Sequence, residues 1–239
     1  MLSPDSLLSL LATGALELKG QFAWGSNYTF LVQVCSGDQV MPAVYKPARG
    51  ERPLWDFPEG SLAQREVAAY VVSRALGWDL VPPTVLRPAG PAGPGSLQLF
   101  VDADPERHYF TFSDEEKQRL RPAAAFDLLI NNADRKAGHV LLGEQGHLWL
   151  IDHGVCFHTE DKLRTVIWDF AGEAIPDDLL GNIQSFRRAL TRDAALRDEL
   201  SGLLSPEELK ALRARADRLI RTKRFPPPGA GRPYPWPLV

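Results

Sequence analysis

Apolar positions change their period several times along the chain, and each change marks an element. Leu7, Leu8, Leu10 and Leu11 form a stripe behind Ser3-Pro4-Asp5, a capping serine followed by a proline at the first helical position, so a short helix is predicted over 4–13. From Ala15 the pattern becomes strand-like. Glu17-Leu18-Lys19 leads through Trp24-Gly25-Ser26-Asn27 into the β-branched and aromatic run Tyr28 to Val34, which predicts a hairpin turning near 24–27. Ser36-Gly37-Asp38 makes the next turn and Val40 to Lys46 a third strand. Pro47 to Gly60 holds three prolines and two glycines and reads as an ordered loop pinned by Trp55 and Phe57. Ser61-Leu62-Ala63-Gln64 has the form of a capping box, and Val67, Tyr70, Val71 and Ala75 continue at helical spacing to a stop at Gly77. Strands over 81–87 and 96–101 flank a Gly/Pro-rich turn, giving the order β-β-β-α-β-β.

Beyond residue 101 the helical period dominates. Ser113-Asp114-Glu115-Glu116 opens a helix expected over 114–131 with an interruption near Pro122. Two short strands follow, 140–142 and 148–151, then helices over 177–200 and 206–223. The second of these carries Leu209, Leu212, Ala216, Leu219 and Ile220 on one face and a run of basic residues expected to be solvated. The tail from Phe225 to Val239 has six prolines and is predicted to run as an extended strap.

Composition narrows the function classes. Lys and Arg number 27 against 30 Asp and Glu, a net charge of −3, with 44% hydrophobic residues. That balance excludes disorder along the whole length and argues against a nucleic-acid partner, which calls for a basic surplus. Cys35 and Cys156 form no CxxC pair, no basic region precedes the first apolar stretch, and no run of 18 apolar residues occurs. The expectation is a cytoplasmic protein with no stable membrane anchor.

Four polar positions have no packing reason to stand where they do. Lys46 ends the strand Ala43-Val44-Tyr45-Lys46, Glu66 lies in the helix 20 residues on, Asp134 heads Asp134-Arg135-Lys136 in a loop, and Asp152 follows Leu148-Trp149-Leu150-Ile151. A strand lysine, a helix glutamate, a loop aspartate and a second aspartate 18 residues later match the plan of phosphoryl transfer. The rival is a zinc hydrolase, since His139, His147, His153, Cys156 and His158 fall within 20 residues, but their spacing fits neither HExxH nor a CxxC pair.

The segment Asn132-Ala133-Asp134-Arg135-Lys136-Ala137-Gly138-His139-Val140-Leu141 is similar to the catalytic loop of phosphatidylinositol 3- and 4-kinase-like proteins, and Leu150-Ile151-Asp152-His153-Gly154 to their metal-binding segment. Trp24-Gly25-Ser26-Asn27-Tyr28-Thr29-Phe30 looks like the turn and strand that the family places over the phosphates. Compact bacterial members of this group, HipA-like proteins included, share the plan, and the resemblance covers residues 15–220. It implies an α+β, two-lobed protein-kinase-like fold: a β-rich nucleotide-binding lobe over 1–100 and a helical catalytic lobe with a Pro-rich tail over 101–239.

By position, the resemblance assigns ATP and Mg²⁺ or Mn²⁺ as cofactors. It places Ser26, Asn27, Lys46 and Glu66 at the phosphates, Phe100 and Val101 beside the adenine, Asp134 and Lys136 at the catalytic step, and His139 and Asp152 at the metal. The implied acceptor is a hydroxyl of a protein or small molecule, or a lipid headgroup. Two residues depart from the family pattern. His139 stands where the family has Asn, a ligand better suited to Mn²⁺ than to Mg²⁺, and Lys136 stands where lipid kinases have His. The first departure leaves a silent, nucleotide-binding kinase fold as the alternative.

Overall fold

The structure, a computed structural model, describes residues 3–22 and 27–239, so the expected turn at Trp24 to Ser26 lies outside the described residues. Five antiparallel strands form one sheet: β1 (Ala15–Gln21), β2 (Phe30–Ser36), β3 (Gln39–Pro47), β4 (Thr84–Arg87) and β5 (Gly95–Leu99), in the order β1-β2-β3-β5-β4. The β1–β2 pairing sets Ala15 opposite Cys35 and Gln21 opposite Phe30. Helix α1 (Pro4–Thr13) covers the sheet, and its Leu10 and Leu11 are buried with Val32, Val34, Ala43, Tyr45 and Leu97. Each of the two leucines contributes about 2 kcal/mol by leaving water.

Helix α2 (Leu62–Leu76) belongs to a second, larger core. Twelve of its 15 residues are buried, including Arg65 and Glu66, so it is packed on nearly all sides rather than on one stripe. After the exposed short helix α3 (Asp114–Gln118), the same core gathers α4 (Arg121–Ile130), α5 (Asp177–Arg192), α6 (Ala194–Ser201) and α7 (Pro206–Thr222), together with the hairpin β6 (Val140–Leu142) and β7 (Leu148–Leu150).

Several boundaries differ from the sequence expectation for identifiable reasons. The strand expected over 81–87 begins only at Thr84, because Pro82 and Pro83 cannot donate to the ladder. The helix over 114–131 breaks at Arg119 and Leu120 and restarts with Pro122 in its first turn. The helix over 177–200 divides at Asp193, whose side chain caps α6 by accepting from the Leu196 N–H. Ser61 does not form the expected capping box; its hydroxyl donates to the Pro58 carbonyl. Glu51 caps α2 instead, its carboxylate accepting from the Leu62 and Ala63 N–H groups at 3.2 and 2.9 Å.

Trp55 pins nothing: it is 92% exposed, with the Lys162 ammonium 4.7 Å from its ring centre, while Phe57 is buried. The basic face of α7 is likewise not wholly solvated. Arg215 is buried and donates to the Leu129 and His158 carbonyls.

Candidate active site

Strand alternation sends Tyr45 into the sheet core and Lys46 to the opposite face. Lys46 pairs with Ser96 and Pro47 with Gly95 across β3 and β5. That approach is close: a Cβ on Gly95 would sit 2.3 Å from the Lys46 carbonyl oxygen, so only glycine fits there. The Lys46 ammonium reaches Glu66 Oε1 at 2.5 Å and Asp152 Oδ1 at 2.9 Å. The other Glu66 oxygen accepts from the His153 N–H at 2.9 Å, so α2 grips both the lysine and the segment carrying Asp152.

The loop after α4 is organised by its own polar side chains. Asn131 caps the helix in the left-handed region, φ 55°. Asn132 Oδ1 accepts from the Asp134 N–H at 2.9 Å, and Asn132 Nδ2 donates to Asp127 at 3.1 Å. Arg135 is fully buried. Its guanidinium donates to both Asp127 oxygens, to the Ile151 carbonyl at 2.8 Å, to the His139 carbonyl at 3.2 Å and to His153 Nε2 at 2.8 Å. One side chain therefore locks the loop bearing Asp134 and His139 to the strand end bearing Asp152. Asp152 itself sits at φ 60°, a conformation Asp tolerates better than most residues at a cost of about 1 kcal/mol.

The charges divide unevenly. Burial alone would lower the Lys46 pKa, but the charges of Asp152 and Glu66 outweigh it, and the group stays protonated with its pKa raised. Asp152 is recessed, which opposes ionisation, yet Lys46 beside it holds its carboxyl well below the usual carboxylate range. Burial pushes Glu66 up against the pull of the same ammonium. Asp134 rises to about 6, chiefly through burial and partly through the Asp152 charge, while Lys136, with its Nζ 3.4 Å from Asp134 Oδ2, and Arg164 oppose the rise.

His139 is pushed down to about 4 by burial, so its ring is neutral at pH 7. Its Nδ1 lies 3.1 Å from the Asp134 carbonyl, which can only accept, and 3.5 Å from the Lys136 N–H, which can only donate; the tautomer with the proton on Nδ1 satisfies the closer of the two. The Nε2 lone pair then faces Asp152 Oδ2 at 3.2 Å. In that tautomer two acceptors face one another, and a divalent cation held by both would satisfy them. The pair fits a divalent metal. Among the described residues no three His, Cys, Asp or Glu side chains form a complete cage, so further ligands must come from elsewhere, as they do where phosphate oxygens fill the shell.

Of the residues singled out from sequence, Lys46, Glu66, Asp152 and His139 are joined by direct contacts, with Asp134 and Lys136 bonded alongside. Asn27 is elsewhere engaged, its Oδ1 accepting from the Arg52 N–H at 2.7 Å; Ser26 lies outside the described residues. Phe100 and Val101 carry the chain out of β5, Phe100 donating its N–H to the Pro42 carbonyl, and neither takes part in the hydrogen bonds of the charged cluster. His147 bonds the Asp79 carbonyl, and Cys156 is buried with its thiol pushed up by desolvation. Sequence reasoning missed Asp127, Asn132 and Arg164. An acid one turn from the end of an apolar helix, eight residues before a buried arginine, is the signal that could have revealed Asp127.

No protein-family model matches the chain. Protein Rv2133c of Mycobacterium tuberculosis (strain ATCC 25618 / H37Rv) is 42% identical to it over 98% of this chain and 95% of that protein. The chain belongs to the family of Protein Rv2133c. Phosphatidylinositol 4-kinase gamma 4 of Oryza sativa subsp. japonica is 33% identical over 60% of this chain, a match spanning 32% of the plant protein. Among solved structures, hydra Fam20 with sugar has a TM-score of 0.58 at 16% identity, covering 91% of this chain and 88% of that one. The Golgi casein kinase with Mn/ADP bound scores 0.54 at 18% identity, with 91% and 74% covered. The Helicobacter pylori proinflammatory kinase CtkA scores 0.53 at 10%, with 90% and 94% covered. Identities this low speak to architecture, and the architecture is kinase-like: the α+β, two-lobed arrangement expected from the sequence. Among the described residues no helix is long and apolar enough to cross a membrane.

Proposed function

We propose that this chain is an atypical kinase of the phosphatidylinositol 3/4-kinase-like, HipA-like kind, transferring the γ-phosphoryl group of ATP to a hydroxyl of a protein or small molecule. The observation that carries this reading is the convergence of Lys46, Glu66, His139 and Asp152, from four separate stretches of chain, with Asp134 at its edge. Residues 1–100 are the nucleotide-binding lobe and 101–239 the catalytic lobe, with the phosphates between them.

Lys46, held by Glu66, binds the phosphates, assisted by Ser26 and Asn27, while Phe100 and Val101 border the adenine. His139 Nε2 and Asp152 hold Mg²⁺ or Mn²⁺, which when bound neutralises phosphate charge. Asp134 accepts the proton of the acceptor hydroxyl as the new O–P bond forms and the bond from the γ-phosphorus to the bridging oxygen breaks, with ADP as the leaving group. A pKa of about 6 leaves it ionised at pH 7 yet more basic than an ordinary aspartate. Lys136 places a positive charge 3.4 Å from that carboxylate, where the negative charge of a loose transition state spreads over the phosphoryl oxygens.

A second reading, nucleotide binding without transfer, is favoured by His139 in place of Asn. Incubation with labelled ATP and Mg²⁺ or Mn²⁺ separates the two. Turnover or autophosphorylation that disappears in both Asp134→Ala and Asp152→Ala supports the kinase, whereas thermal stabilisation by ATP with no turnover supports the binder.

A further inference from the structure

The tail from Phe225 onward is fastened at both ends and free between them. Phe225 is buried against Phe170, ring centres 5.6 Å apart, and exchanges backbone hydrogen bonds with Gly172 and Glu173. Residues 226–232 are exposed throughout. The chain is then caught again. The Pro233 carbonyl accepts from the Thr165 N–H at 3.0 Å and from Trp168 Nε1 at 3.3 Å, Pro235 is buried, and the Leu238 carbonyl accepts from the Ala137 N–H at 2.8 Å.

These last anchors fall on the machinery of the site. Thr165 forms a parallel bridge with Arg135, and Ala137 opens the single turn Ala137–His139 that presents His139. On its inner side that turn is held by the His139 ring against the Asp134 carbonyl and by the Arg135 guanidinium on the His139 carbonyl. On its outer side the support comes from the tail, whose Val239 side chain lies 4.0 Å from where a Gly138 Cβ would stand. Prolines at 233, 235 and 237 limit the backbone's freedom and remove three of its donors, and the segment bends at Tyr234 and at Trp236–Pro237, where the peptide bond is cis, instead of running as the extended strap expected from the sequence.

We infer that residues 233–239 are a positioning segment of the candidate site, fixing the turn that carries Lys136 and His139 rather than merely covering surface. The inference rests on the kinase reading for its effect on turnover and on geometry alone for its effect on the loop.

Three forms are compared: the full chain, the full-length double variant Pro233→Gly/Pro235→Gly, and a chain stopped after Arg232. Backbone hydrogen exchange over 134–140 is measured beside Mn²⁺-ATP turnover. Expected in both altered forms is at least tenfold faster exchange over 134–140, with α2 and α7 unchanged. The kcat should fall at least tenfold while KM for ATP stays within about twofold, and a synthetic 226–239 peptide should restore both values in the stopped chain. Unchanged exchange over 134–140 overturns the inference, as does a rise in kcat, which would make the tail an obstruction. Loss of protection in α2 and α7 of the double variant overturns it too, because the segment would then support the whole fold. Faster exchange with no turnover in any form, the full chain included, keeps the inference and removes the kinase reading.

Discussion

Two charged networks lie within a few residues of each other and are built on opposite terms. In one, Arg135 and Asp127 are 0% and 1% exposed and bond Asn132, Thr165, His153 and backbone carbonyls, with the buried Nδ1 of His153 left without a partner. In the other, Asp152 and Asp134 are 47% and 32% exposed, the His139 Nε2 faces a carboxylate oxygen at 3.2 Å, and one ammonium serves two acids. A buried network with nearly every group bonded has little left to offer a ligand and acts as scaffold. An unsaturated one, held by that scaffold, keeps coordinating capacity for something that arrives.

Breaking the scaffold should have the largest effect. Arg135→Ala strands Asp127 in the core without its partner, and a loss of about 3–5 kcal/mol in denaturant unfolding is expected. A variant that unfolds at the wild-type midpoint would erase the distinction between the networks. Replacing the open network should do the reverse: Asp152→Ala is expected to cost roughly 100- to 1,000-fold in ATP turnover while the melting temperature falls by less than in Arg135→Ala. A melting loss as large as that of Arg135→Ala would show that Asp152 is scaffold as well.

Acidity separates the two aspartates of the open network. Asp134 has a folded pKa near 6, above an unfolded value of about 3.9, so the folded state binds this proton more tightly. Its effect on stability therefore becomes more favourable as pH falls from 6 to 4, while turnover should decline over the same interval if the carboxylate has the proposed role. Asp152 has the opposite sign: its pKa is depressed in the fold, so its stabilising contribution is present above about 4 and is lost as pH drops further. The pH–rate profile of the wild type should show a limb near 6, and Asp134→Asn should lower turnover and stabilise the fold by about 1 kcal/mol at pH 7. A rate unchanged between pH 5 and 7 would take Asp134 out of the reaction.

The smallest effect expected is a change in metal choice. His139→Asn exchanges an imidazole for an oxygen ligand, and the Mg²⁺-to-Mn²⁺ activity ratio should rise several-fold. A constant ratio would mean that the imidazole does not touch the ion.

Sequence period carried the architecture well where one face is apolar: α1, the three-strand meander and α7 appear within a residue or two of their expected limits, as does the arrival of Lys46 at a strand end. Lys46, Glu66 and Asp152 were also legible as charges set in apolar sequence, whereas His139 came from the family resemblance. What stayed hidden was long-range. The α2 cap comes from Glu51, 11 residues upstream, where the local Ser61-to-Gln64 spelling pointed to Ser61. Arg215 looks like one more solvated arginine until α7 is laid against the Leu129 carbonyl. The tail's grip on Ala137 and Thr165 is made by backbone carbonyls, which carry no side-chain signature.

Gly95 shows how far such a dependence reaches. Its neighbour across the ladder is the carbonyl of Lys46, and even one methyl at position 95 would intrude to 2.3 Å. Alanine there must wedge the two strands apart at the rung from which the ammonium is launched, tilting a side chain whose grip on two acids is set to tenths of an ångström. Where that lysine ends up is governed by a hydrogen atom on another strand, 49 positions away in the chain.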